Sequence, residues 1–225
     1  AAAVEMLHAA SLLHDDVIDG AVLRRGVPAF WVTRGASGAV LLGDLLVSQA
    51  FKLAKGMQGG RFVNAMADLA NEMCEAEMEQ ELLLKGKSPD WPTCVSIARR
   101  KTGSLFALAG YAAGGDDIEL CDAIMNAGYA AGTAYQIADD ILDAYGDECR
   151  AGKTLGSDAV SSKITAVSAL RTSNVDPQSY IRDLLSESGK MLVPWPDAAG
   201  AWRDFLGNDL VPVLDSFLKP FAVQD

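Results

Sequence analysis

Apolar residues recur at spacings of three and four along nearly the whole chain, and no β-branched run with period two interrupts them. Alanine and leucine are abundant, which favours helix further. The breaks fall at glycine and proline. A first helix is expected over about 1–20, followed by a loop containing Arg24-Arg25-Gly26-Val27-Pro28. Further helices are expected over about 36–55, stopping at Gly56, and over about 61–85, ending near Gly86 and Pro89. The next covers about 92–113 and ends at Gly114-Gly115. The segment 117–145 is apolar on most sides, with Gly128 and Gly132 one turn apart, and so belongs in the middle of a bundle. A looser stretch from Gly146 to Ser162 precedes shorter helices broken by Pro177, Pro194 and Pro196. No linker divides the chain and no repeat shows. The expected fold class is therefore all-α, one helical-bundle domain over residues 1–225. The chain starts without methionine and with apolar spacing already running, so upstream residues are expected in the natural protein.

Composition narrows the function classes. With 50% hydrophobic and 22% charged residues in 225, the chain can bury one sizeable core and is not disordered. Its 19 basic and 30 acidic residues give a net charge of −11, which excludes nucleic acid as an expected partner. Cys74, Cys94, Cys121 and Cys149 are scattered, with no CxxC pair, and predict free thiols in a reducing cytoplasm. The N-terminal segment has no basic leader of a secretory signal. No transmembrane segment is expected, because Ala39–Val47, the best apolar stretch, is broken by Asp44 and is less than half the ~20 residues a span needs.

Two acidic clusters carry the chemistry. His14-Asp15-Asp16-Val17-Ile18-Asp19 lies at the C-terminal end of the first helix, and Asp139-Asp140-Ile141-Leu142-Asp143 near that of the central one. Each reads DDxxD. Positions i and i+4 share a helix face, so Asp15 pairs with Asp19 and Asp139 with Asp143. The middle aspartates, Asp16 and Asp140, sit about 100° round the helix at the edge of any site. Carboxylates at this spacing repel, and a helix C-terminus adds negative potential. A hard divalent cation relieves both, and Mg²⁺ fits best when a phosphate supplies its remaining ligands. An EF-hand is excluded by Val17, which stands where that loop needs Asp or Asn. One such cluster alone would read as a solvated acidic helix end; two, each inside apolar helix, do not. Arg24-Arg25 follow the first cluster closely, Lys101-Thr102-Gly103 interrupts an apolar helix, and Lys153 and Lys163 flank the loop after the second. Such a set suits a polyanion held between metals.

The segments HAASLLHDDVIDGAVLRRGVP, KTG and YQIADDILD strongly resemble the trans-polyprenyl diphosphate synthases, in order and spacing, over roughly residues 1–165. The resemblance implies an isoprenoid-synthase helical bundle around a central cavity. It implies a prenyltransferase that condenses isopentenyl diphosphate head-to-tail (1′-4) with an allylic diphosphate, using about three Mg²⁺ ions, as a homodimer. Carried onto this chain, Asp15, Asp19 and Asp139 match metal ligands, and Asp16, Asp140 and Asp143 complete the two motifs. Arg24, Lys101, Thr102, Gln136, Lys153 and Lys163 match positions that hold the allylic diphosphate. His8 and Arg25 match positions that hold isopentenyl diphosphate. The hydrocarbon would run down the first helix past Ala10, Ser11 and Leu7. Small residues at Ala10 and Ser11, where farnesyl-producing relatives commonly carry an aromatic, imply a geranylgeranyl or longer product.

The chain also departs from the family. It starts after the GGKRxRP-type segment whose Lys and Arg grip isopentenyl diphosphate, and Trp31 stands where relatives usually have His. The first departure leaves open an enzyme that ionises an allylic diphosphate without isopentenyl diphosphate, a cyclase or diphosphate-releasing enzyme. Intact Arg25 and His8 speak against it. A non-catalytic subunit of a heteromeric synthase is the third possibility, ranked last because both aspartate motifs are whole.

Overall fold

The glycine and proline breaks mark where helices end in the computed structural model, which describes residues 1–146, 163–170 and 173–219. Helix α1 covers Ala2–Ile18. It leads into a two-rung hairpin, β1 Leu23–Arg24 and β2 Val27–Pro28, with Arg24 opposite Val27 and Leu23 opposite Pro28. The two connecting residues, Arg25 and Gly26, both have positive φ, 53° and 77°. That is the type I′ geometry whose twist matches the strands. Glycine adopts it freely, whereas at Arg25 it costs on the order of 1–2 kcal/mol.

Helix α2, Phe30–Ala54, starts earlier than its periodicity announces. Gly35, at φ 78°, separates a first turn from the longer run that follows, and that turn carries Trp31. The indole Nε1 of Trp31 donates to the Ala21 carbonyl at 2.7 Å and braces the hairpin. By length and composition α2 is also apolar enough to cross a membrane, with 25 residues and a mean hydropathy of 1.3 in its best window. Asp44 breaks the short Ala39–Val47 stretch but not the longer average, a test that the core helix of a soluble protein passes as well. In the fold, α2 lies along α1, with Ala39, Gly43, Ala50 and Ala54 buried.

Helix α3 is Arg61–Met78 and widens into a π-helical turn at Glu79–Leu84. Helices α4, Trp91–Ala98, and α5, Ser104–Ala113, form one rod through a second π-helical stretch, Arg99–Gly103. The sequence predicts an uninterrupted helix here. The ring widens where Lys101-Thr102-Gly103 stands, as π-bulges do at functional positions. Helix α6, Ile118–Tyr145, is capped by Asp117, whose carboxylate accepts the Leu120 N–H at 3.0 Å. Ala131, Ala134, Ile137, Ala138 and Ile141 are fully buried, so α6 is the central helix its sequence announces. Close approach needs its glycines. A Cβ on Gly128 would lie 2.6 Å from the Phe106 carbonyl oxygen, and one on Gly132 would lie 2.7 Å from the Gly103 Cα.

The tail contains α7 Ala166–Leu170, α8 Pro177–Lys190, α9 Pro196–Phe205 and α10 Val211–Leu218, the last two joined by a π-helical turn at Leu206–Leu210. Pro177 and Pro196 open helices rather than interrupting them, since the first helical position has no use for the missing N–H. One core cluster joins α4, α6, α7, α8 and α10, and a second joins α1, α2, α3, α5 and α6. Both use α6.

Candidate active site

At the end of α1 the three aspartates divide as helix geometry requires. Asp16 turns inward, 4% exposed, and accepts two hydrogen bonds from Arg24, at 3.0 Å from Nε and 2.5 Å from an Nη. This pair ties the hairpin to the helix it follows. Below Asp15, on its face and one turn back, lies Ser11, whose hydroxyl donates to the His8 carbonyl at 2.9 Å. Burial lowers the His8 pKa; Glu5 opposes the fall, and the Arg25 and Arg24 charges add to it. Ala10 and Leu7 are buried, 1% and 3% exposed. They share a helix side with His14, whose Nε2 lies 3.3 Å from the Val40 carbonyl and 3.5 Å from Asp44 on α2.

Asp15 and Asp19 belong to a larger ionic group. The Lys163 side chain, 4% exposed, donates to Asp19 Oδ1 at 2.5 Å and lies 3.5 Å from Glu77 Oε1 and 3.3 Å from Glu81 Oε1. Burial alone would lower the Lys163 pKa, but the Asp19 hydrogen bond, with Glu77 and Glu81, reverses this and raises it above the ordinary value. Lys101 pairs with Glu77 Oε2 and donates to Gln80 Oε1 at 3.2 Å. Burial pushes the Asp15 carboxyl up to about 6; Lys101 and Lys163 oppose the rise, and Glu77 and Asp19 add to it. Sequence reasoning missed Glu77, Gln80 and Glu81. The available signal was their spacing, i, i+3 and i+4, which puts all three on one face of α3 and its widened end.

The α6 cluster is tied in from the other side. The Thr102 hydroxyl donates to Gln136 Oε1, the Gln136 amide donates to Asp140 Oδ1 at 2.7 Å, and Asp140 Oδ2 accepts the Ala166 N–H at 2.7 Å. Asp140 and Asp143 are both 8% exposed, and Asp139 is partly exposed on the same last turns of α6. The short segment 163–166 stitches the site together. Lys163 reaches α1 and α3, and the Ile164 carbonyl accepts from Gln80 at 2.7 Å. The Thr165 carbonyl accepts from Cys94 on α4, and Ala166 donates to α6. Lys153 lies outside the described residues. So does Cys149; Cys74, Cys94 and Cys121 are free thiols.

Among the described residues no three His, Cys, Asp or Glu side chains form a ready metal cage. The carboxylates at the ends of α1 and α6 are oxygen donors only. Burial, more than any neighbouring charge, raises Asp15 in the absence of a cation. Such a donor set fits a hard cation that keeps part of its shell for a phosphate, and does not fit a closed structural site.

A model of the polyprenyl synthetase family matches residues 1–191. The chain belongs to the polyprenyl synthetase family. It is 33% identical over 193 residues to the octaprenyl diphosphate synthase of Haemophilus influenzae, covering 83% of this chain and 58% of that protein. It is 32% identical over 178 residues to the geranylgeranyl diphosphate synthase of Methanosarcina mazei, covering 74% and 54%. The chain thus spans a little over half the length of these relatives. A polyprenyl synthase from Caulobacter crescentus, solved with calcium and isoprenyl diphosphate, superposes with a TM-score of 0.68 at 28% identity, covering 96% of this chain and 70% of that one. The geranylgeranyl pyrophosphate synthetase of Pyrococcus horikoshii gives 0.67 at 29%, covering 96% and 71%. The family match contains both aspartate clusters, the hairpin, the π-helical KTG and the 163–166 segment; of the described helices, α9, its π-helical extension and α10 fall beyond it.

Proposed function

We propose that this polyprenyl synthetase is a Mg²⁺-dependent trans-prenyltransferase. It joins isopentenyl diphosphate head-to-tail (1′-4) to a farnesyl- or geranyl-type allylic diphosphate, giving a geranylgeranyl or longer trans-polyprenyl diphosphate. The observation that carries this proposal is the convergence of Asp15 and Asp19 with Lys101 and Lys163, linked through Thr102, Gln136 and segment 163–166 to the aspartates of α6. Asp15, Asp19 and Asp139 would hold the metal. Bound there, Mg²⁺ supplies charge neutralisation for the departing diphosphate.

The chain's own groups do the rest. Lys101, Thr102, Gln136, Lys153, Lys163 and Arg24 bind the allylic diphosphate. As its C1–O bond breaks, the bonding pair leaves on oxygen, and the ammonium groups stabilise that charge. Each ~1.4 kcal/mol of such stabilisation is worth tenfold in rate. Arg25 and His8 hold isopentenyl diphosphate. Burial lowers the His8 pKa in the free chain, and either ring form can donate a hydrogen bond to that diphosphate. The isopentenyl double bond attacks the allylic C1, and a proton from the isopentenyl C2 passes to the released diphosphate. Ser11, small and one turn below Asp15, leaves room for a growing chain.

The exposed side of α2, with Val40, Leu41, Leu45 and Leu53, suits a second copy of the chain in a cytoplasmic homodimer. The test of function is incubation of the chain with Mg²⁺, farnesyl diphosphate and labelled isopentenyl diphosphate. Labelled products longer than farnesyl are expected. Diphosphate release that ignores isopentenyl diphosphate, or inertness at every Mg²⁺ concentration, would overturn the proposal.

A further inference from the structure

The carboxylate that touches both lysines, Glu77, has no part in the chemistry above. Its two oxygens divide between two chain segments far apart in sequence: Oε2 pairs with Lys101 on the α4–α5 rod, and Oε1 lies 3.5 Å from Lys163 after α6. Its side chain is 15% exposed, that of Lys101 21% and that of Lys163 4%, so neither pairing is a loose surface contact. Gln80, one turn on and 7% exposed, repeats the bridge in neutral form. It accepts from Lys101 at 3.2 Å and donates to the Ile164 carbonyl at 2.7 Å, beside Lys163. The same face of α3 and its widened end therefore fixes the separation of two ammonium groups from segments far apart in sequence.

Flexible lysine side chains lose rotamer freedom when they are aimed, and an anionic partner that holds both in advance removes that loss from the moment of substrate binding. Asp19 also holds Lys163, at 2.5 Å. Asp19 is placed among the metal ligands, whereas Glu77 is given no role except toward the two lysines.

We propose that Glu77, seconded by Gln80, is a positioning residue for the allylic diphosphate, setting Lys101 and Lys163 at the spacing that grips it. This rests on the prenyltransferase assignment and adds a residue to it that acts only through the lysines. Glu77→Leu is expected to raise KM for farnesyl diphosphate by about tenfold or more and to lower kcat, with KM for isopentenyl diphosphate unchanged within about twofold. Glu77→Gln keeps an acceptor of the same length, and its KM for farnesyl diphosphate is expected to fall between those of the Leu variant and the unchanged chain. Because Glu77 acts through Lys101 and Lys163, the Glu77→Leu/Lys101→Ala double variant should lose less than the product of the single losses. Calorimetric titration of each folded variant with Mg²⁺ and inorganic diphosphate gives the same comparison without turnover. If Glu77→Leu fails to fold, Glu77→Gln carries the test alone. Kinetic constants within about twofold of the unchanged chain, or both KM values rising together, would overturn the positioning role. Failure of Lys101→Ala to raise KM for farnesyl diphosphate would instead sink the diphosphate-binding assignment beneath it.

Discussion

Replacing Asp15 with Asn should stabilise the metal-free protein while destroying its activity. The carboxyl of Asp15 titrates near 6 in the fold against 3.8 when unfolded, chiefly because burial penalises its charge; Lys101 and Lys163 oppose the rise, and Glu77 and Asp19 add to it. A pKa raised on folding means that the native state keeps its proton while the unfolded chain releases it. Stability therefore falls as pH rises from about 4 to about 6 and is level above that. The full shift of about two units corresponds to about 3 kcal/mol at pH 7.5, an upper bound for the gain on removing the charge. For a chain of this size that is a rise of roughly 6–12 °C in Tm. The assay is thermal unfolding in EDTA at pH 4.5 and 7.5. The Asn variant should lose the acid-to-neutral drop of the unchanged protein and melt higher at pH 7.5. With Mg²⁺ and diphosphate the order should reverse, since only the carboxylate gains from the cation. An Asn variant that melts at or below the unchanged protein at pH 7.5 in EDTA would refute the reasoning.

Three other variants test separate links. Arg24→Ala leaves the Asp16 carboxylate, whose side chain is 6% exposed, without its cation, and should cost about 2–3 kcal/mol by urea unfolding, less than a fully buried pair because Arg24 itself is partly exposed. Gly128→Ala drives a methyl into the Phe106 carbonyl at 2.6 Å and should cost on the order of 1–3 kcal/mol, with α5 forced off α6; an unchanged denaturation midpoint would contradict the close approach. Ser11→Phe should shorten the product without changing KM for either diphosphate by more than about twofold, read by chromatography of the dephosphorylated products. Ala10→Tyr, at a site 1% exposed, should shorten the product too, but with a loss of about 1–3 kcal/mol of stability.

The ends of α2 before Gly56 and of α5 before Gly114, and the central place of α6, were legible because apolar periodicity and glycine or proline breaks are local signals. The two π-helical stretches around the site, Glu79–Leu84 and Arg99–Gly103, were not, because apolar spacing of three and four does not tell a widened turn from a regular one. Likewise Trp31 reads in sequence as a missing histidine. In the fold it is the brace that holds the Arg24-Arg25 turn through the Ala21 carbonyl. The division between Asp15 and Asp16 was legible as a helix angle, but not what each would meet. Asp15 and Asp16 are neighbours, yet one faces the lysines and the other is spent on Arg24.

What the sequence determined by itself was the chemistry at each helix end. Spacing of four along a helix commits Asp15 with Asp19, and Asp139 with Asp143, to a common side whatever surrounds them, and repulsion between like charges demands a cation there. Which groups meet those carboxylates was decided only in three dimensions. Lys163 lies 144 residues beyond Asp19, and Glu77 and Gln80 enter from a helix whose spacing marks a polar face without saying what that face meets. Local rules fix direction around a helix axis; only the packing of α3, the α4–α5 rod and the strap after α6 fixes which charges end up within bonding distance.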